Sequence, residues 1–205
     1  RIGDKILVVS FGGGCDALWF QVTGSLKEGA GRKGIQGHLA AKTDLASYEK
    51  YAVFRNLIPV EVGGRGEQDL PTLLSLMWRK RKTVLGMVGS KCRKCATPQF
   101  PPQRICVNPE CRAVDEMEEY RFADKAGRVF NYTGDMLAFC YDPPEIYGMV
   151  EFDGGGRFMF NFTDCDLKAV QVGMPVEMTF RRKLHDEKRG IQTYFWKAVP
   201  RKEVG

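Results

Sequence analysis

Histidine is nearly absent from this chain: 205 residues hold two, His38 and His185. Both stand in glycine-rich or charge-rich contexts and read as solvated or structural side chains. A cysteine or serine activated by a neighbouring imidazole therefore has little to draw on. Also lacking is any apolar run approaching the ~18–20 residues that a helix needs to cross a bilayer, so no membrane span is expected. The opening residues, RIGDKILVVS, have no basic region, apolar core and cleavage site in succession, and so no secretory signal. The first residue is Arg1 rather than Met, as in a piece of a longer polypeptide or a processed chain. Neither an internal repeat nor a low-complexity tract appears.

Positive charge is not scarce overall, at a formal +6, but the C-terminal part lacks it. Residues 1–117 hold 18 Lys and Arg against 11 Asp and Glu, whereas residues 118–199 hold 11 against 13. The second stretch is thus no phosphate-tracking groove, which weakens a nucleic-acid reading.

Cysteine is what the chain has in quantity. Four of seven fall in SKCRKCATPQFPPQRICVNPEC, residues 90–111, as C-x2-C, ten residues, then C-x4-C. Two close pairs on facing turns bring four thiolates around one ion at about 2.3 Å each. Cys92, Cys95, Cys106 and Cys111 are therefore expected to hold a structural zinc, with no position left open for water. Arg93, Lys94, Arg104 and Arg112 would offset the charge of the tetrathiolate and favour its ionised ligands. Iron uses the same ligand set and is the nearest rival. Disulfides do not suit the reducing cytosol expected here, and a thioredoxin-like pair lacks its βαβ setting. Cys15, Cys140 and Cys165 stand alone and are expected to be isolated buried thiols.

Along the chain, KILVVS (5–10) and LWFQVT (18–23) read as strands around the turn FGGGCDA. A Gly/Lys-rich loop follows, then a helix in DLASYEKYAVFRN capped by Asp44 or Ser47. PVEVGGRGEQ reads as a linker. DLPTLLSLMWRKRKTVLGMVG opens as a helix, with Asp69 as cap and Pro71 in the first turn. Leu70, Leu73, Leu74 and Met77 form an apolar stripe expected to dock on something, and Arg79–Lys82 (RKRK) is placed at the helix end, where cations suit the dipole. Beyond the cysteines, EYRFA, GRVFNYTG, YGMVEFD, GRFMFNFT, PVEMTFRR and IQTYFWKAV alternate with turns, notably DGGGR and DEKRG. Five or six strands in about 80 residues suggest a small closed barrel, for which the OB-fold is the usual solution.

This order, an amphipathic helix, a zinc ribbon and then a barrel, resembles the acyl-CoA-associated family called domain of unknown function 35. The residues that carry the likeness are LPTLLSLMWRKRK, VGSKCRKCATPQFPPQRICVNPEC, GMVEFDGGGRFMFNFTD and VQVGMPVEMTF, within roughly residues 69–199. GDKILVVSFGGGCDALWFQVT with SYEKYAVFRNL resembles the last hairpin and tail of thiolase-superfamily hydroxymethylglutaryl-CoA synthases, over about residues 2–58. The expected fold is thus mainly β: a rubredoxin-like zinc ribbon (88–117) and an OB-fold barrel (118–199). A linker and amphipathic helix (59–87) precede them, after an N-terminal thiolase-like hairpin and helix segment (1–58).

The resemblance implies an accessory part of a thiolase or synthase, cytoplasmic, holding coenzyme A or acyl-CoA beside a thiolase-superfamily catalytic subunit. Such members are not catalysts by themselves. Arg79, Lys80, Arg81, Lys82, Arg93 and Lys94 are the nearest cations for CoA phosphates, and Gly12–Gly14 would line an active-site wall or make a plain turn. Where thiolases place an acid/base cysteine, this chain has Ser10, as in the synthases. No nucleophilic cysteine motif or catalytic histidine is matched. Two alternatives remain: a nucleic-acid binder, with exposed barrel aromatics for stacking, and an acyltransferase in its own right with Cys15 as nucleophile.

Overall fold

In the computed structural model, residues 1–27, 34–40, 42, 44–60, 72–138 and 140–201 are described. The chain divides into two compact units, residues 1–48 and a larger one beginning at Glu49.

In the first unit, β1 (Lys5–Phe11) and β2 (Cys15–Gln21) pair antiparallel, Lys5 opposite Gln21 and Phe11 opposite Cys15. At the turn the Gly12 N–H donates to the Gly14 carbonyl at 2.8 Å. Successive strand residues point to opposite faces, and both faces here are apolar: Ile6 and Val8 on one, Leu7 and Val9 on the other. Every residue of both strands is exposed, because a single two-stranded layer covers neither of its own faces. This corrects the expectation for Cys15, which is an exposed thiol, not a buried one. The Gly/Lys-rich stretch is not all loop either. It holds a 3-10 turn (Gly24–Lys27) and a short helix α1 (Ile35–Ala40) that carries His38, exposed.

The second unit begins with α2 (Tyr48–Phe54), which starts directly after Ser47, the nearer of the two cap candidates. Ala52 is buried, Phe54 meets Tyr141 edge-on at 6.4 Å, and Lys50 pairs with Asp142 at 2.6 Å. Helix α3 (Leu74–Gly86) follows Leu73, which has extended backbone and makes no capping bond. Asp69, Pro71, Leu70 and most of the linker lie outside the described residues. Leu73 and Leu74 of the apolar stripe are exposed and Met77 is half-buried. Arg79–Lys82 sits mid-helix rather than at its end. The helix runs on through Thr83–Gly86 and closes at Met87, whose left-handed backbone donates its N–H to the Lys82 carbonyl. Met87 is wholly buried and accepts the Phe122 N–H at 3.0 Å, so the helix end is fixed to the core.

The ribbon sheet is β3 (Val88–Cys92) flanked by β4 (Pro98–Gln99) and β5 (Met117–Arg121). The barrel comprises β6 (Gly127–Val129), β7 (Thr133–Asp135), β8 (Glu145–Phe152), β9 (Arg157–Asn161), β10 (Pro175–Asp186) and β11 (Ile191–Pro200). β6 and β7 line one edge of β8 and β9 the other; β10 joins β6, and β11 joins β10. A parallel bridge from Phe162 to Ala198 brings the end of β9 back to β11, so the sheet closes as an OB-fold. Strand β8 shows the period that drives this, with Ile146, Gly148, Val150 and Phe152 buried and alternate residues outward. β10 is longer than PVEMTFRR implied and carries His185 on a strand, exposed.

The ribbon sheet lends aromatics to the barrel's interior, while the cysteine turns pack around a small cluster of their own. Phe122, fully buried, lies 5.4 Å from Phe100 and 5.1 Å from Tyr120 on the ribbon side, and 5.0 Å from Phe152 of the barrel. Gly156 makes room for it: its φ is +90°, and a Cβ there would stand 2.6 Å from the Phe122 ring. The aromatics of GRFMFNFT are thus largely core, with Phe160 and Phe162 buried. Cys140 and Cys165 are half-buried rather than buried; burial pushes the Cys165 thiol up to about 11, as in an unreactive cysteine. No helix of the described residues is long and apolar enough to cross a membrane.

Candidate metal centre and basic groove

Two turns of similar design present the four cysteines. In the first, Cys92 ends β3, its N–H donates to the Thr97 carbonyl at 3.0 Å, and the Ala96 N–H returns to the Cys92 carbonyl at 2.9 Å. In the second, the Cys106 N–H donates to the Ala113 carbonyl at 2.9 Å and the Cys111 N–H to the Asn108 carbonyl at 3.0 Å. Each turn has a non-glycine residue in left-handed backbone one position after its second cysteine, Ala96 (φ 60°) and Arg112 (φ 46°). That conformation curls the chain sharply enough to aim both thiols of a pair inward.

The four Sγ atoms lie within 4.8 Å of one another. Cys92 and Cys111 are 3.8 Å apart and Cys95 and Cys106 3.4 Å. Those separations are far longer than a disulfide bond. They match the edge of about 3.8 Å for a tetrahedron with metal–sulfur bonds near 2.3 Å. Four sulfur donors, two of them buried, therefore fit a closed, four-coordinate zinc centre. The thiols are prepared unequally. Thr97, through its hydroxyl and backbone, brings Cys95 down to about 6, whereas burial pushes Cys106 up to about 12. Binding the metal must therefore supply the energy to ionise Cys106.

Arg104 takes a different part from the one the sequence suggested. Its guanidinium forks onto Asp115, at 2.7 and 2.6 Å, so its charge is neutralised there and not by the cluster. Together with the Ile105–Val114 bridge, this pair closes the mouth of the second turn. Gln99, 2% exposed, was not singled out in the sequence. Its amide donates to the Gln103 and Ile105 carbonyls, at 3.3 and 3.2 Å, and accepts the Val107 N–H at 3.0 Å. One side chain thereby holds the strand that leads into Cys106. No sequence pattern announces it, because its partners are backbone atoms of an irregular loop.

Of the six cations considered for CoA, Arg79, Lys80, Arg81 and Lys82 border one groove with Trp78, Thr83, Val88, Gly89, Pro102 and Glu119. Arg93 and Lys94 stand exposed on the first cysteine turn and do not line it. Lys82 is paired with Glu119 at 2.5 Å, and the Arg81 guanidinium lies 5.2 Å from the Trp78 ring. Cys15 is an exposed free thiol that makes no side-chain hydrogen bond among the described residues.

Comparison with known proteins assigns both modules. Residues 87–118 match the family model described as the ChsH2 rubredoxin-like zinc ribbon domain, and residues 120–181 that of the ChsH2 C-terminal OB-fold domain. A DUF35 domain-containing scaffold protein of Methanocaldococcus jannaschii is 34% identical over 126 residues, 60% of this chain and 87% of that protein. Another of the same description, from Methanothermobacter thermautotrophicus, is 32% identical over 127 residues, 60% of this chain and 93% of that one. A solved structure, an Ltp2-ChsH2(DUF35) aldolase, superposes with a TM-score of 0.46 at 19% identity, over 65% of this chain and 98% of that chain.

Proposed function

Since the chain belongs to the DUF35 family, with a structural zinc ribbon joined to an OB-fold, we propose that it is an accessory scaffold rather than a catalyst. It would hold a catalytic partner of the thiolase superfamily, such as a thiolase or a hydroxymethylglutaryl-CoA synthase, and help retain the CoA thioester. The relatives' description as scaffold proteins supports the first half of this reading.

The observation that carries it is the β1–β2 hairpin. Seven-residue strands with Leu7 and Trp19 65% and 63% exposed, and Val8 and Phe20 48% and 49%, have more apolar surface than a free hairpin tolerates. Such strands belong inside another protein's layers. This agrees with the resemblance of residues 2–58 to the end of a synthase. A nucleic-acid role is less well supported, because residues 118–199 hold 13 Asp and Glu against 11 Lys and Arg, although Phe130, Phe158 and Phe180 of the barrel are exposed.

Native mass spectrometry of the gently purified protein tests the reading in one spectrum. One zinc ion and a thiolase-like partner chain are expected, with CoA bound. A monodisperse lone chain carrying nucleic acid would overturn it. The CoA half has its own check: replacing Arg79–Lys82 by glutamines is expected to weaken CoA retention, with the loss largest at low salt.

A further inference from the structure

Helix α3 is interrupted inside its basic run. Lys80 has φ −118° and ψ 21°, outside the helical region. Four consecutive residues of a straight helix point in four directions spread over most of a turn. Here all four, Arg79 to Lys82, border the same groove, and Trp78 adjoins them. The break is what turns a basic helix into a basic wall.

The groove combines two features that a solvated helix does not need. Arg79, Lys80 and Arg81 have no carboxylate partner among the described residues and stand as consecutive like charges. Beside them the Trp78 indole is 74% exposed, with the Arg81 guanidinium over its ring. A flat π-face next to clustered cations suits a ligand with an aromatic base attached to phosphates. The groove measures about 420 Å³, at the small end of the ~300–1,000 Å³ of small-molecule sites. Glu119, paired with Lys82, also borders it. A single nucleotide fits this volume.

Resting on the acyl-CoA reading above, we infer that this groove takes the 3′-phosphoadenosine end of the CoA thioester. Trp78 stacks on the adenine, displacing Arg81 from the ring, and Arg79, Lys80 and Arg81 meet the 3′-phosphate and pyrophosphate. The pantetheine arm and acyl group lie outside the groove, toward the catalytic partner. Trp78 is therefore a specificity-determining residue for the nucleotide.

The test is calorimetric titration of the zinc-loaded full chain with CoA, 3′,5′-ADP and pantetheine 4′-phosphate, in the native form and as Trp78→Leu and Trp78→Phe. 3′,5′-ADP is expected to keep most of the affinity of CoA. Trp78→Leu should weaken both by about tenfold, the scale of one lost base stack, and Trp78→Phe should restore most of it. CoA binding indifferent to Trp78, or carried fully by pantetheine 4′-phosphate, overturns this site and leaves the CoA reading standing. No CoA binding at all overturns both. Binding of a single-stranded oligonucleotide more tightly than CoA would assign the groove to nucleic acid instead.

Discussion

Ala96 occupies left-handed backbone that an L-residue with a Cβ adopts at a cost of about 1–2 kcal/mol. Glycine removes that cost and gives back part of it as unfolded-chain entropy. Ala96→Gly is therefore expected to keep the zinc and stabilise the folded chain by up to about 1 kcal/mol, read as a raised midpoint in thermal unfolding. Asp115 makes the opposite kind of prediction. The Arg104 hydrogen bonds hold its carboxyl below the usual carboxylate range. A depressed folded-state pKa gives stability that is present above the ordinary value near 4 and lost as pH falls through the folded one. Acid thus reaches the zinc thiolates while the Arg104–Asp115 clasp is still closed. Asp115→Asn is expected to move the half-point of zinc loss, followed by a chromogenic chelator, to higher pH.

At this scale the sequence was informative where chemistry alone decides. Four thiols at those intervals have few other uses, and the geometry brings all four together. Cys15 is exposed against expectation because an apolar run says that a strand will be buried, not by what. Gln99 stayed hidden because its role depends on the path of the loop it ties.

Among elements, the β1–β2 hairpin differs from the rest in having no layer of its own to lie on. Val8→Asp or Trp19→Ser places polarity on one face or the other without touching the cysteines. Each is expected to reduce co-purification of the catalytic partner at least tenfold while zinc content stays at one per chain. Unaltered partner recovery from both variants would remove the hairpin from the interface. Helix α3 shows why its boundaries were not legible. The apolar spacing marked a helix correctly, yet its end is set by Met87 plugging the core, a tertiary contact that outweighs the β-branched residues Thr83 and Val84 before it. The placement of Arg79–Lys82 in the middle follows from that.

Over the whole molecule, the strands after Met117 and the hairpin turns at 153–156 and 187–190 were readable from β-formers set between turn residues, and in β8 from burial of period two. The joining of ribbon to barrel was not, since nothing local says that Phe100 and Phe122 meet. That contact makes a prediction of its own. Cys92→Ser or Cys106→Ser is expected to abolish stoichiometric zinc binding and also lower the melting midpoint of the barrel, followed by the near-ultraviolet signal of its aromatics. Two separate transitions, with the barrel's unmoved, would mean that the modules are independent.

The aromatic cluster around Phe122 also bears on how such a protein can be inherited. Each module has buried residues of its own, but cut between them each would also expose the rings it now lends to the other. The seam between ribbon and barrel is closed to insertion and to exchange, so the two should be found travelling as a single heritable part.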